Sequence, residues 1–444
     1  MDDDAEAVRV LRHAAPHVLG ALVRRSGDFD ACEDAVQEAM LAAYASWPAD
    51  GIPRDPTAWL ITVAHRRLID QFRSDLARVR RETQEAELSL RELEAADPRL
   101  SADEDDTLTL LFLCCHPALT PISQVALTLR AVGGLTMAQI ARAFLVSEAS
   151  MTQRITRAKH KIRQSDQLFR MPPAQERRDR LQAVQHVLYL VFNEGYLASS
   201  GPQLQRGELA TEGIRLARLL ADLVPDDGET VGLLALMLLL DSRRAARAQA
   251  DGTLIALDEQ DRKLWDRAFM DEGIALITDS LARLPLGQYQ VQAAIAALHA
   301  EASTAADTDW AQIVALYEVL EAIAPNPMAS LGQAVAHAML HGPEAGLAKL
   351  ALLDDDERLV ANHRLHAVRA HLLELLGDDE IAGSGYLTAA GLTNSETERD
   401  YLTDRAARLS AGIRGKAGRE LGATRPSDSF GRQAESEGPR PVRG

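Results

Sequence analysis

Residues 135–163 have the sequence LTMAQIARAFLVSEASMTQRITRAKHKIR, and this stretch decides how the rest of the chain is interpreted. Its spacing predicts a helix from Met137 to Phe144, a turn at 145–146, and a second helix that Ser147 caps. In the second helix the apolar residues recur every three or four positions and form one inward stripe. That stripe consists of Met151, Ile155, Ala158 and Ile162. Two short helices joined by so tight a turn predict a helix-turn-helix.

The second helix carries polar and basic side chains away from its apolar stripe. Such a helix fits the major groove of DNA, where its first residues contact base edges and its later basic residues contact phosphates. The candidate DNA-contacting residues are Ser147, Ser150, Gln153, Arg154, Arg157, Lys159 and Lys161. The alternative is a solvated amphipathic helix that binds no nucleic acid.

The overall charge hides two basic segments. The 444-residue chain has a net charge of −17, which by itself argues against nucleic-acid binding. Residues 59–81 nevertheless carry +4 and residues 131–170 carry +5, while residues 82–106 between them carry −8. This pattern predicts two basic units joined by an acidic linker.

Composition limits the fold and the location. The chain is 46% hydrophobic but only 4% aromatic, which favours an all-α protein over a β protein. Three cysteines form no disulfide framework, and no apolar stretch is long enough to span a membrane. The acidic start is unlike a signal peptide, so we expect a cytoplasmic protein without a membrane partner. No P-loop, GxSxG, HExxH or glycine-rich nucleotide loop is present, so an enzyme is not expected.

Two stretches near the N-terminus extend this interpretation. They are DAVQEAMLAAY at 34–44 and AWLITVAHRRLIDQFR at 58–73. Both resemble the second conserved region of sigma-70-type RNA polymerase sigma factors, and the helix-turn-helix resembles their fourth region. The order, the spacing and the acidic linker resemble the compact extracytoplasmic-function (ECF) group.

The resemblance implies roles for particular residues. The polymerase-binding candidates, which would dock on the coiled coil of the β′ subunit, are Asp34, Gln37 and Glu38. The candidates for contact with the promoter −10 element are His65, Arg66, Arg67 and Arg73. The implied partners are core RNA polymerase, through its β′ and β subunits, and double-stranded and melted promoter DNA, with no cofactor or metal. The alternative is a helix-turn-helix repressor that acts without polymerase.

The charge and turn patterns divide the chain into five parts. These are region 2 at 5–81, an acidic linker at 82–106, region 4 at 107–170, a helical extension at 175–412 and a disordered tail at 413–444. Three stretches, VLYLVFNEGY at 187–196, DTDW at 307–310 and CCHPAL at 114–119, resemble an ECF subgroup with a long C-terminal extension whose distal part is tetratricopeptide-like. Helix pairs at 328–353 and 363–392 recur at the spacing of such a repeat. Such repeats bind protein or peptide partners, so the extension is expected to be regulatory.

Three smaller motifs leave alternatives open. Residues 193–196 (NEGY) indicate either a ligand or interdomain site, or a helix end capped by Gly195. Cys114 and Cys115 follow an apolar run and indicate buried core more than a redox site. The histidines at 363, 366 and 371 lack the spacing of a metal site.

Overall fold

The computed structural model describes residues 2–78, 104–144, 146–164, 171–196, 207–249 and 252–423. Within these ranges the regular elements are helices, with one isolated β-bridge between Ala248 and Leu254. The all-α prediction is therefore confirmed. Most of the predicted acidic linker lies outside the described residues.

An N-terminal unit of three helices comes first. It consists of α1 (Asp2–Ser26), α2 (Phe29–Asp50) and α3 (Pro56–Arg78), which all pack against one another. Gly27, at φ 69°, ends α1, and the Asp28 carboxylate then caps α2 by accepting from two backbone N–H groups. Asp55 Oδ1 accepts from the Ala58 N–H at 2.9 Å, as expected for the start of α3.

The helix-turn-helix unit follows. Its helices are α4 (Glu104–Cys114), α5 (Pro121–Ala131), α6 (Met137–Ala143) and α7 (Glu148–Gln164). Thr136 and Gln139 form a reciprocal capping box at the start of α6. Both helices of the predicted motif are present within a residue or so of their expected bounds.

The remaining described residues form the extension. Its first six helices are α8 (Ala174–Tyr196), α9 (Gly207–Leu223), α10 (Gly228–Asp241), α11 (Arg267–Arg283), α12 (Gln288–Glu301) and α13 (Trp310–Ile323). The distal helices are α14 (Pro327–His341), α15 (Pro343–Ala351), α16 (Glu357–Val360), α17 (His363–Leu376), α18 (Asp379–Leu392) and α19 (Glu396–Ala423). The expected helix pairs are present, and α19 continues into the start of the predicted tail.

The three units share one hydrophobic core, and α4 lies at its centre. Residues 106–115, in α4 and at its end, are all buried, so the helix is covered on every side over this length. It packs against α1 of the N-terminal unit, α5 of its own unit, and α8 and α9 of the extension. The units therefore form one packed body.

Close helix crossing fixes the extension beside this core. Gly195 lies inside α8, where an added Cβ would come within 2.1 Å of the Ala210 backbone nitrogen on α9. A Cβ added at Gly213 on α9 would likewise come too close to the Phe192 backbone on α8. The interpretation of Gly195 as a helix cap is wrong: the residue is a glycine because two backbones meet there.

Candidate polymerase and nucleic-acid interface

Helix α7 has the two faces that the sequence predicts. The Ser147 hydroxyl accepts from the Ser150 N–H at 3.2 Å, which caps the helix. The predicted stripe is buried in full: Met151, Ile155, Ala158 and Ile162. Opposite it, the candidates that are exposed to solvent are Ser147, Ser150, Gln153, Arg157 and Lys161, and Arg154 is half-buried.

Lys159 differs from the other candidates on this helix. Its side chain is only 9% exposed, and it faces α2 of the N-terminal unit. Its Nζ donates to Glu33 Oε2 at 2.8 Å and to Asp30 Oδ1 at 2.7 Å. The expectation that Lys159 points outward is wrong for this arrangement, because position 159 lies beside the apolar stripe and a second domain covers it.

Two further arginines complete an interdomain ion cluster, which consists of Asp30, Glu33, Arg130, Lys159 and Arg163. Arg163 Nη2 lies 2.7 Å from Asp30 Oδ2, and Arg130 Nε lies 2.8 Å from Glu33 Oε1. Glu33 is only 2% exposed, and a buried carboxylate needs cations to balance its charge. Lys159 and Arg130 supply them.

The electrostatics of the interdomain ion cluster favour a charged lysine. Burial alone would lower the pKa of Lys159, but the carboxylates of Glu33 and Asp30 outweigh burial and raise it. The pKa of Asp34 is also raised, because burial and the neighbouring acids Glu33 and Asp30 together outweigh the attraction of Lys159.

The predicted polymerase-binding residues lie beside this cluster on α2. Asp34 is exposed, and its Oδ1 lies 3.7 Å from Lys159 Nζ. Glu38 is exposed one turn further on, 3.6 Å from the Arg67 guanidinium, and Gln37 is half-buried. The structure therefore brings the predicted polymerase-binding surface and the predicted −35-binding helix together.

Helix α3 presents three of its four candidates to solvent. Arg66, Arg67 and Arg73 are exposed, and Arg73 Nη1 lies 3.8 Å from Asp70 Oδ1 on the same helix. His65 is buried, at 6% exposure, and so faces the core in this arrangement.

The aromatic residues of α3 are partly buried. Trp59 packs edge-on against Trp47 with ring centroids 5.6 Å apart, and Phe72 packs against the same core.

No local pattern in the sequence marks Asp30, Arg130 or Arg163 as interdomain contacts. A signal was present in Glu33, which shares a helical face with Cys32 and Val36, both buried. An acid on an apolar face requires a cation from another element. The sequence alone could not say that the cation lies 126 residues away.

The extension contacts the helix-turn-helix unit through two arginines. Arg180 on α8 donates to the Phe112 carbonyl at 2.7 Å, and burial lowers its pKa. Arg215 on α9 pairs with Glu212 and also donates to the Val132 carbonyl at 3.2 Å. Both carbonyls belong to the scaffold that supports α7.

The other motifs behave as packing residues. Burial raises the pKa of the Cys115 thiol to about 12, and it also raises the pKa of the Cys114 thiol well above its ordinary value. Among the described residues, no group of His, Cys, Asp and Glu has a metal-binding arrangement, and His363 Nε2 instead lies 3.1 Å from Glu398. None of the helices in the described ranges has the length and apolarity to cross a bilayer.

Comparison with known families agrees with this geometry. The sigma-70 region 2 family matches residues 10–78, and the sigma-70 region 4 family matches residues 109–162. Residues 180–281 match DUF6596, a family of unknown function. No solved structure matches the chain.

Individual relatives fall into two kinds. An uncharacterised protein of Rhizobium meliloti (strain 1021) is 44% identical over 401 residues, which cover 90% of this chain and 94% of that protein. The ECF RNA polymerase sigma factor SigK of Mycobacterium ulcerans (strain Agy99) is 27% identical over 154 residues, 34% of this chain and 80% of its own length. SigK of Mycobacterium tuberculosis (strain ATCC 25618 / H37Rv) is 26% identical over 164 residues, 36% of this chain and 86% of its own length.

The SigK proteins therefore match about a third of the chain, whereas the match to the Rhizobium protein covers nine-tenths of the chain and so includes the extension. The chain belongs to the extracytoplasmic-function group of sigma-70-type RNA polymerase sigma factors, which are transcription initiation factors rather than enzymes and act with core RNA polymerase on promoter DNA; its C-terminal extension includes the DUF6596 segment.

Proposed function

We propose that this sigma factor recognises a −35 element with α7 and melts a −10 element with α3, after docking on the β′ subunit through Asp34, Gln37 and Glu38. The observation that supports this most directly is the separation of charge on the surface. Arg157 and Lys161 on α7, and Arg66 and Arg73 on α3, are exposed cations in a chain whose net charge is −17. Such residues match the phosphate-contacting part of a promoter interface.

We further propose that the described arrangement is the closed form of the free factor. Lys159 and Arg163 bind α2 here; Lys159 is buried and so is not available to DNA phosphates in this form, and Arg163 is exposed but paired with Asp30. The same contacts partly cover Asp34, which the polymerase would need. Core polymerase that binds α2 would compete with Lys159 and favour release of α7, since a ligand shifts an equilibrium toward the state that it binds better.

The extension has a regulatory role in this proposal. It holds α4 and α5 through Arg180 and Arg215, while the N-terminal unit contacts α4 through α1. Opening would therefore separate the N-terminal unit from a helix-turn-helix unit that stays attached to the extension. A protein or peptide partner of the distal helices would act on this equilibrium.

Transcription from genomic DNA tests the proposal. The full chain is mixed with core RNA polymerase of the encoding organism, and transcript 5′ ends are mapped. We expect discrete start sites that share −35 and −10 elements, a loss of these starts with Glu38→Gln and Arg157→Ala, and normal starts with Arg267→Ala, which changes an exposed arginine on the extension. Sequence-specific DNA binding without any binding of core polymerase would instead indicate a repressor.

A further inference from the structure

A large cavity lies within the extension, away from the surfaces that contact polymerase and DNA in the proposal above. Its volume is about 630 Å³, and its walls come from α8, α10, α12, α13, α14 and the start of α17. Ligand sites for small molecules commonly have volumes of about 300–1,000 Å³. The cavity also lies where the segment matched by DUF6596 meets the distal helices.

The lining of the cavity is cationic. Arg243, Arg364, His186 and His299 line it, and none of the described lining residues is an aspartate or a glutamate. This contrasts with the chain as a whole, in which acidic residues outnumber basic ones, 65 to 48. A cavity that lacks carboxylates in so acidic a protein favours an anionic occupant.

The two guanidinium groups are not neutralised by ion pairs. Arg243 donates to the Tyr196 hydroxyl at 2.9 Å and lies 5.8 Å from the Trp265 ring. The Arg364 guanidinium donates no hydrogen bond to any residue in the described part of the chain, although its charge acts on Tyr189 and Glu398. Both groups therefore keep donors for a ligand.

A buried donor without an acceptor also lies on the wall. Trp265 is only 4% exposed, and its indole Nε1 has no hydrogen-bond partner among the described residues. Tyr189, Tyr289 and Tyr317 line the same space and give it flat apolar surfaces.

His299 adds a neutral polar group. Burial lowers its pKa to about 4, and the charges of Arg243 and Arg262 contribute to the shift. The imidazole is therefore uncharged at neutral pH, and the fixed positive charge of the cavity comes from Arg243 and Arg364.

We propose that this cavity binds a small organic anion with a flat apolar body, whose carboxylate, phosphate or sulfonate group contacts Arg243 and Arg364 and whose body packs between the tyrosines and Trp265. Charge-assisted hydrogen bonds to guanidinium would supply specificity, and burial of the apolar body would supply affinity. The site does not depend on the promoter interface. It shares α8 with the contact to the helix-turn-helix unit, since Arg180 and Tyr189 lie on that helix.

Fluorescence with two matched probes tests the proposal on the full chain. The anionic probe is 8-anilino-1-naphthalenesulfonate, and the neutral probe of similar shape is N-phenyl-1-naphthylamine. We expect saturable one-to-one binding of the anion, displacement by salicylate, and weaker binding of the neutral probe. Loss of one charged hydrogen bond predicts an affinity at least about tenfold lower in Arg243→Gln and Arg364→Gln.

Two further variants keep the test decisive. Arg267→Gln removes an exposed arginine outside the cavity and is expected to leave binding unchanged. Ala296→Phe fills the cavity without changing charge and is expected to reduce binding of both probes. Circular dichroism identifies any variant that fails to fold. The proposal is overturned if neither anion binds saturably, if the neutral probe binds as tightly as the anion, or if folded arginine and Ala296→Phe variants bind normally.

Discussion

Lys159 Nζ on α7 lies 2.8 Å from Glu33 Oε2 on α2, and both side chains are at least nine-tenths buried. A lysine of the predicted −35-binding helix is thus held against an acid of the predicted polymerase-binding helix. The pair connects two surfaces that are proposed to bind different partners, so a change on one helix has consequences for the other.

Replacement of Lys159 by methionine is expected to destabilise the fold. It leaves Glu33 buried with Arg130 as its remaining cation, and breaking a buried pair in this way costs about 3–5 kcal/mol. Urea unfolding measures the loss. The matched control is Lys161→Met, which changes an exposed lysine two positions along and is expected to cost under about 0.5 kcal/mol. Equal stability of the two variants would contradict the role of the interdomain ion cluster.

Asp34→Asn is expected to have opposite effects on stability and on polymerase binding. The folded protein raises the pKa of Asp34, chiefly through burial. An acid whose pKa is higher in the folded than in the unfolded protein stabilises the fold while it is protonated. This stability is lost as pH rises through the folded pKa, so at neutral pH the ionised Asp34 makes the folded protein less stable than a neutral side chain would.

The neutral amide should therefore raise Tm slightly, by about 1 °C, because the side chain is 59% exposed. The same change should weaken binding to core polymerase, measured by fluorescence anisotropy. Glu38→Gln, on the same face of α2, should weaken that binding with no change in Tm. A fall in Tm for Asp34→Asn would show that its attraction to Lys159 dominates.

Arg157→Ala is expected to weaken promoter binding by the assembled holoenzyme without affecting stability. The residue is exposed on α7 and makes none of the interdomain ion pairs. Loss of one phosphate contact should reduce the slope of log K against log salt by about 1. Filter binding over a series of salt concentrations measures this slope, with Arg267→Ala as the control. An unchanged slope would exclude a phosphate contact at Arg157.

Gly195→Ala is expected to disrupt the seating of the extension. The added Cβ would meet the Ala210 backbone, which cannot move aside as a flexible side chain would. Overpacking of this kind costs about 1–3 kcal/mol, and backbone contact favours the upper end. The control is Gly391→Ala in α18, where an added Cβ would have no atom within 4 Å apart from its own stretch of helix. This change is expected to stabilise the protein by about 0.5 kcal/mol. Thermal unfolding distinguishes the two.

The three thiols are expected to be unreactive in the native protein. Cys32, Cys114 and Cys115 are buried, and burial raises the thiol pKa of each, to about 12 for Cys32 and Cys115. The thiolate is the reactive form, so a thiol reagent at pH 8 should modify them only as the chain unfolds. Labelling with and without urea tests this prediction. Rapid labelling of the folded protein would contradict it and would indicate that one of the thiols is accessible enough for redox chemistry.

Much of the fold could be predicted because helix periodicity is local. The apolar stripe of α7, the cap at Ser147 and the break at Gly27 follow from residues within a turn of one another. Lys159 and His65 could not be placed in this way. Each lies beside an apolar stripe, and whether such a position is exposed depends on a contact that local periodicity does not specify. The cavity in the extension was not foreseen, since its lining comes from six helices and has no local motif.

Helix α4 has a consequence for a chain that lacks the extension. It is buried on every side from Asp106 onward, and two of the four helices that it packs against, α8 and α9, belong to the extension. Deleting the extension would uncover that surface and leave the Phe112 carbonyl without Arg180. A chain shortened before α8 would therefore expose apolar side chains and a backbone carbonyl that a two-domain sigma factor without an extension does not have to cover.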